Sequence, residues 1–252
     1  MSENQYPSLL GILGGLGPMS GIYFCEMLTQ HTLAKKDSDH LNFLLSSRAD
    51  TPDRSSFILG ESIDDPTPRM RSEAKRLEAA GAELLVIPCN TAHYFYSKVA
   101  EAVDIPILNI IEETARLCSI ENINKVAVLA TKGTVVSGAY KDIFDTYGIE
   151  IAELTDDEQN FITETIFDRI KSGLAPDIDK FTTLCKELLA KRCERVILGC
   201  TELSLIKKSY PLPNGVIDSL EVLCISALKL CNKTPIGFDE GLMKLYCTEK
   251  GI

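Results

Sequence analysis

Several patterns are missing from this 252-residue chain. Its nine cysteines, at positions 25, 89, 118, 185, 193, 200, 224, 231 and 247, form no CxxC pair, so neither a zinc site nor a disulfide framework finds its usual spacing. No run of Lys or Arg relieves a balance of 26 basic against 36 acidic residues, a net charge of −10. Nucleic acid and anionic membrane surfaces, which both demand a basic footprint, are therefore excluded as expected partners. The glycines after the first apolar run lack GxGxxG spacing and no GK[ST] follows them, which excludes a dinucleotide fingerprint and a P-loop. The apolar stretch from Ser8 to Phe24 has no Lys or Arg ahead of it, only Glu3, and Gly14, Gly15, Gly17 and Pro18 interrupt it. It reads neither as a signal-peptide core nor as a spanning helix. The expected compartment is the reducing cytoplasm, where the cysteines stay thiols, and no metal is expected.

What remains is an ordinary soluble composition, 45% apolar and 25% charged. The length suits one large α/β unit or two domains. Short apolar runs at Leu9 to Leu13, Leu41 to Ser46, Leu84 to Pro88, Ile107 to Ile110, Val126 to Ala130, Val196 to Leu198 and Val216 to Ile217 read as strands. Helical periodicity fills Arg69 to Ala80, Gly138 to Tyr147, Asp157 to Ser172 and Asp179 to Arg192. That alternation predicts mostly parallel sheets with helices on both faces.

The two halves also resemble each other. At an offset of 111 residues, Lys75, Leu77, Ala79, Glu83, Val86 and Cys89 align with Lys186, Leu188, Ala190, Glu194, Ile197 and Cys200. At an offset of 116, Gly11 to Gly17 faces Ala127 to Gly133. The chain therefore reads as a duplicated α/β unit: residues 1–112 plus 215–252 form a first domain carrying Cys89, and 113–214 a second carrying Cys200. The last strand and helix, from about Gly215, are expected to return to the first domain.

Each half places a Cys just past the C-terminal end of an apolar strand, where open parallel sheets bind ligands. Facing halves would bring Cys89 and Cys200 to opposite walls of one cleft. A helix N-terminus after each thiol predicts a lowered pKa and a reactive thiolate at both positions. One activated Cys suits covalent acyl transfer, whereas two thiols on opposite sides of one carbon suit proton removal on one face and return on the other, which inverts a stereocentre. Packing explains a lone buried Cys well, but it supplies no reason for a Cys to recur at the equivalent strand end, followed by Asn90-Thr91 or Thr201-Glu202. The Gly14-Gly15-Leu16-Gly17-Pro18 loop, with Gly15 within it, would let backbone N–H groups approach a carboxylate, and it equally suits a tight strand-to-helix turn.

The motifs Gly11 to Pro18, Pro52-Asp53-Arg54, Pro88-Cys89-Asn90-Thr91-Ala92-His93, Ala130-Thr131-Lys132-Gly133-Thr134, Asp157-Glu158-Gln159 and Gly199-Cys200-Thr201-Glu202 together resemble the cofactor-independent aspartate/glutamate racemases, in particular the aspartate branch. The resemblance covers nearly the whole chain. It implies two pseudo-symmetric α/β domains with the active site between them, no pyridoxal phosphate or metal, and a homodimer. It also implies Cys89 and Cys200 as acid and base, with Asn90, Thr91, Thr131, Thr134 and Thr201 on the α-carboxylate and amino group. Arg54 and Lys171 match positions that hold the side-chain carboxylate of an acidic substrate. His93, four residues after Cys89, is expected to be structural, and Glu202 to orient the second thiol or cap the helix that follows.

The chain departs from the family where Arg48-Ala49 stands in place of the usual Asn-Pro. Arg48, if it entered the pocket, would add a second cation there. The order of expected substrates is aspartate, glutamate, then a broader amino-acid set. Two other classes remain open: an isomerase or decarboxylase of maleate or malonate type on the same scaffold, and a non-catalytic amino-acid-binding protein.

Overall fold

Eight short apolar segments form two sheets of identical plan. The computed structural model describes residues 6–247. Met1 to Gln5, ahead of the first apolar stretch, and 248–252, expected at the end of the first domain, lie outside the described residues. Strands β1 (Leu9–Gly14), β2 (Asn42–Ser47), β3 (Leu84–Val86) and β4 (Ile107–Leu108) are ordered β2-β1-β3-β4. Strands β5 (Lys125–Leu129), β6 (Glu150–Ala152), β7 (Arg195–Leu198) and β8 (Val216–Asp218) repeat that order as β6-β5-β7-β8. Every pairing is parallel, with Ile12 opposite Val86 in the first sheet and Val128 opposite Ile197 in the second. The inner strands are buried on both faces, as their unbroken apolar runs require.

One strand belongs elsewhere than its sequence position suggests. Val216 to Asp218 hydrogen-bonds beside β7, so β8 edges the second sheet and does not return to the first domain. The helix after it, Ser219–Leu230, does cross back, packing on Ile110–Ile120 and Pro18–Gln30. β6 escaped the sequence reading because it is three residues long with Glu150 exposed at its start. The periodicity over Asp157 to Ser172 resolves into an α-helix, Asp156–Glu164, that widens into a π-turn over Thr165–Ile170. There the Lys171 N–H donates to Ile166 O at 3.0 Å, five residues back. This inserted residue rotates the helix end and sets the direction in which Lys171 leaves it.

Polar caps start the helices that approach the strand ends. Asp53 accepts from the Ser56 amide, Asn109 from those of Ile111 and Glu112, Thr131 from that of Thr134 and Asp218 from that of Leu220. The residue four after each thiol latches the corresponding helix start. His93 Nε2 accepts from the Ile110 amide at 3.2 Å, and Ser204 Oγ donates to Asp218 Oδ1 at 2.7 Å.

The largest apolar cluster joins both halves. It holds Leu10 and Ile12 of β1, Val126 and Val128 of β5, and the facing sides of Ile110–Ile120 and Ser219–Leu230. Between those helices the buried Glu113 accepts from Ser226 Oγ at 2.6 Å and pairs with Arg116. Because one core serves both sheets, Leu223→Ala should cost about 2–5 kcal/mol and the protein should still unfold in one step. Urea denaturation followed by two probes checks this; two separated transitions would show that the halves are independent.

Candidate active site

Cys89 and Cys200 sit past the C-terminal ends of β3 and β7, each 5% exposed, and line the same cavity. The first half contributes Leu16, Asp53, Arg54, Ser55, Asn90 and Thr91 to its walls, and the second Thr131, Lys171, Thr201 and Glu202. The free space is about 10 Å³, near the least that holds one water. Larger clefts of about 600 and 630 Å³ lie elsewhere, the first beside Arg195 and Asn214 and the second beside Arg71 and Lys98; neither has a thiol in its lining. Convergence of reactive and polar groups marks the site better than volume does.

The charges around the cavity are asymmetric. Arg54 is nine-tenths buried, and its guanidinium donates only to backbone carbonyls: Leu16 O at 2.8 Å, Pro52 O at 3.0 Å and Thr51 O at 3.4 Å. Its Nε–H has no partner, and no carboxylate lies within ion-pair distance among the described residues. Lys171 is exposed, with Nζ 4.3 Å from the centre of the Phe167 ring. Burial raises the carboxyl of Asp53, but the Ser56 amide and the charges of Arg54 and Lys171 outweigh it and leave that group below its ordinary value.

Both thiols are pushed up, not down. For Cys89 burial raises the pKa, Arg54 opposes, Glu202 adds to the rise and Lys171 opposes. For Cys200 burial and then the Glu202 charge raise it well above the ordinary value, with Lys171 opposing. The sequence expectation of a lowered pKa at both positions fails because desolvation in so tight a cavity outweighs the field of a helix end. Cys200 Sγ donates to Glu202 Oε2 at 3.0 Å, which requires the protonated thiol. Glu202 itself is wedged under the glycine loop: a Cβ on Gly17 would lie 2.2 Å from Glu202 Oε1.

Hydroxyls from the two halves bond to one another across the cavity. Thr91 and Thr131 are 3.1 Å apart, Thr91 and Thr134 2.7 Å, and Thr131 and Thr134 3.0 Å, while Ser55 donates to Thr131 at 3.2 Å. Thr134 completes this cluster from outside the cavity lining. Thr201 donates to Pro88 O at 3.2 Å, another bond between halves. These groups have rotatable O–H bonds and can each donate or accept, so substrate polar atoms can replace their mutual contacts.

Three further expected positions behave differently. His93 accepts an amide hydrogen at Nε2, so its proton is on Nδ1, donating to Cys89 O at 2.9 Å. Burial lowers its pKa to about 4, and the ring is a neutral brace behind the thiol. Arg48 stays out of the cavity: Asp50 takes its Nε and Nη2 at 3.0 and 2.9 Å, and Glu73 its Nη1 at 3.4 Å. The second-cation expectation is thereby corrected. Gly15 is absent from the lining as well; at φ +84° it lies against the Arg48 backbone, where a Cβ would come within 2.3 Å of Arg48 N. Its role is close chain approach, and Leu16 is the loop residue that reaches the cavity. Sequence reasoning missed Ser55, which lacks any motif of its own beyond following Arg54, and the supporting residues Tyr140 and Ser219, which only the tertiary fold brings near Asn90.

This duplicated fold around a shared cavity is that of an amino-acid racemase, an isomerase. The chain belongs to the Asp/Glu/Hydantoin racemase family, which it matches over residues 13–227. It is similar to the aspartate racemase of Picrophilus torridus, with 27% identity and a TM-score of 0.76 over 95% of this chain and 99% of that one. An aspartate racemase homologue from Pyrococcus horikoshii OT3 is 26% identical with a TM-score of 0.73, covering 89% and 99%. The broad-specificity amino-acid racemase RacX of Bacillus subtilis is 25% identical over 226 residues, 87% of this chain and 96% of that one.

Replacing Glu202 by Gln keeps an acceptor oxygen but removes the negative charge that favours the protonated Cys200 thiol, so its pKa should fall. Thiolate absorbance followed against pH, with Glu202→Gln/Cys200→Ser as the blank, should show a titration displaced to lower pH relative to the corresponding wild-type difference. An unchanged midpoint would mean that Glu202 exerts no control over the thiol.

Proposed function

We propose that the chain racemises an acidic amino acid, aspartate before glutamate, by two-base proton transfer between Cys89 and Cys200 without pyridoxal phosphate or metal. The observation that carries this reading is one closed cavity with a buried thiol from each half and, beside them, a buried guanidinium bonded to backbone carbonyls with its Nε–H left over. One thiolate takes the α-proton, forming its S–H bond as the α-C–H bond breaks. The opposite thiol then gives its proton to the other face of the planar carbanion. The thiols finish with exchanged protonation, so their titrations are coupled. Burial makes the thiolate costly to form and correspondingly basic towards a carbon acid, which suits it to this step.

The asymmetry of the charges suggests the resting assignment. Cys200, held by Glu202, is the acid, and Cys89, where the Arg54 charge opposes the rise that burial imposes, supplies the base. The buried Arg54 offers a charged N–H fork to a side-chain carboxylate, and Lys171 a point charge. A broader substrate range is the second reading, favoured by the similarity to the broad-specificity racemase over most of both chains. We assign the protein to the reducing cytoplasm as a homodimer, a reading supported by nine unpaired cysteines and the family resemblance.

Cys89→Ser and Cys200→Ser should each abolish formation of D-aspartate from L-aspartate, measured by chiral chromatography, while the fold survives. Normal turnover in either variant refutes the two-base assignment. Arg54→Leu should weaken kcat/KM for aspartate by roughly 10- to 100-fold, the loss expected for a hydrogen bond to a charged group, and affect alanine far less. Equal effects on both substrates would remove Arg54 from side-chain recognition.

A further inference from the structure

Asn90 follows Cys89 directly, is almost wholly buried and lines the cavity. An amide can present either N–H or C=O to a ligand, and the two choices select opposite charges. Here a chain of hydrogen bonds decides between them. The carbonyl of Leu198, two residues before Cys200, can only accept, so Ser219 Oγ must spend its single hydrogen on it, at 2.7 Å. Ser219 can then only accept from Asn90, at 3.0 Å, which identifies the atom facing it as Nδ2. Oδ1 therefore faces Tyr140, whose hydroxyl donates to it at 2.7 Å. The bond to Ser219 uses one Nδ2 hydrogen and leaves a second on a side chain that lines the cavity.

We propose that Tyr140 and Ser219 are positioning residues that lock the Asn90 amide so that it offers an N–H, not its carbonyl, to the substrate, making Asn90 a carboxylate ligand and not an ammonium ligand. The inference rests on the amino-acid racemase reading and specifies one subsite within it. Neither positioning residue lines the cavity, and both lie in buried places, Tyr140 on the helix Ala139–Thr146 beside Phe144 and Ser219 at the start of Ser219–Leu230. Burial also keeps the phenol protonated and therefore a donor. The lock crosses the halves: its origin is the last β7 carbonyl, on the strand that carries Cys200, and its output is the residue beside Cys89. Without the Tyr140 hydroxyl, only the Ser219 acceptor is left to oppose a flip that would turn the carbonyl oxygen towards a carboxylate.

The test uses the full chain and a probe with carboxylates but no ammonium, succinate, alongside L-aspartate. In Tyr140→Phe, which keeps the ring, succinate should bind roughly 5- to 30-fold more weakly by calorimetry, the equivalent of one hydrogen bond of about 1–2 kcal/mol. KM for aspartate should rise by a similar factor while kcat changes little, a split that a merely structural role would not produce. Asn90→Ala should weaken succinate as well, and adding Tyr140→Phe to it should cause no further loss. Additive losses, or an unchanged succinate affinity in Tyr140→Phe beside a wild type that binds, overturn this inference alone. A wild type that binds neither probe overturns the acidic-substrate reading and this inference with it. Ser219→Ala, which removes the acceptor that orients Nδ2, should weaken succinate in the same way and serves as the test if Tyr140→Phe does not fold.

Discussion

The cavity depends on the packing of Ile110–Ile120 against Ser219–Leu230. These helices follow the edge strands β4 and β8, and their apolar faces fuse the flanks of the two sheets into one core. That core holds the C-terminal ends of β3 and β7 towards a common space, and so brings two thiols 111 positions apart in sequence to the walls of one small cavity. The latches from His93 and Ser204 fasten each thiol segment to the start of one of these same helices. Packing, thiol placement and the contacts between halves are thus one mechanical unit.

Within this near-symmetry the chemistry is uneven. Asn90 and Thr91 follow the first thiol, whereas Thr201 and Glu202 follow the second. A carboxylate consequently bonds Cys200, while the guanidinium of Arg54 opposes the rise that burial imposes on Cys89. Desolvation raises both thiols, and the local charges make the rise uneven, Arg54 opposing it at Cys89 and Glu202 adding to it at Cys200. The hydroxyl cluster closes the same space without introducing charge, leaving Arg54 and Lys171 as the cationic groups of the lining.

The duplication and both cysteine positions were legible because apolar strands and a repeated strand-end motif are local features. The existence of one edge strand and the sheet to which another belongs were not. Three-residue β6 lacks an apolar run, and the membership of β8 is set by its hydrogen bonds to β7 across a long intervening segment. The sign of the thiol shifts was misread since a helix terminus is visible in the sequence and burial is not. Arg48 shows a nearer miss: Asp50, two residues on, offered a local partner, but Glu73 comes from a distant helix. The Asn90 lock is illegible in the same way, its three partners lying 50, 129 and 108 positions along the chain at Tyr140, Ser219 and Leu198.

In a two-base racemase, both faces of one α-carbon meet a thiol. Proton NMR of purified, pyridoxal-free wild-type protein with L-aspartate in D2O measures this most directly. The account predicts loss of the α-proton signal together with accumulation of the D enantiomer, the incoming deuteron having been delivered on the opposite face. Retention of the α-proton by both aspartate and glutamate, in protein that binds them, would contradict it.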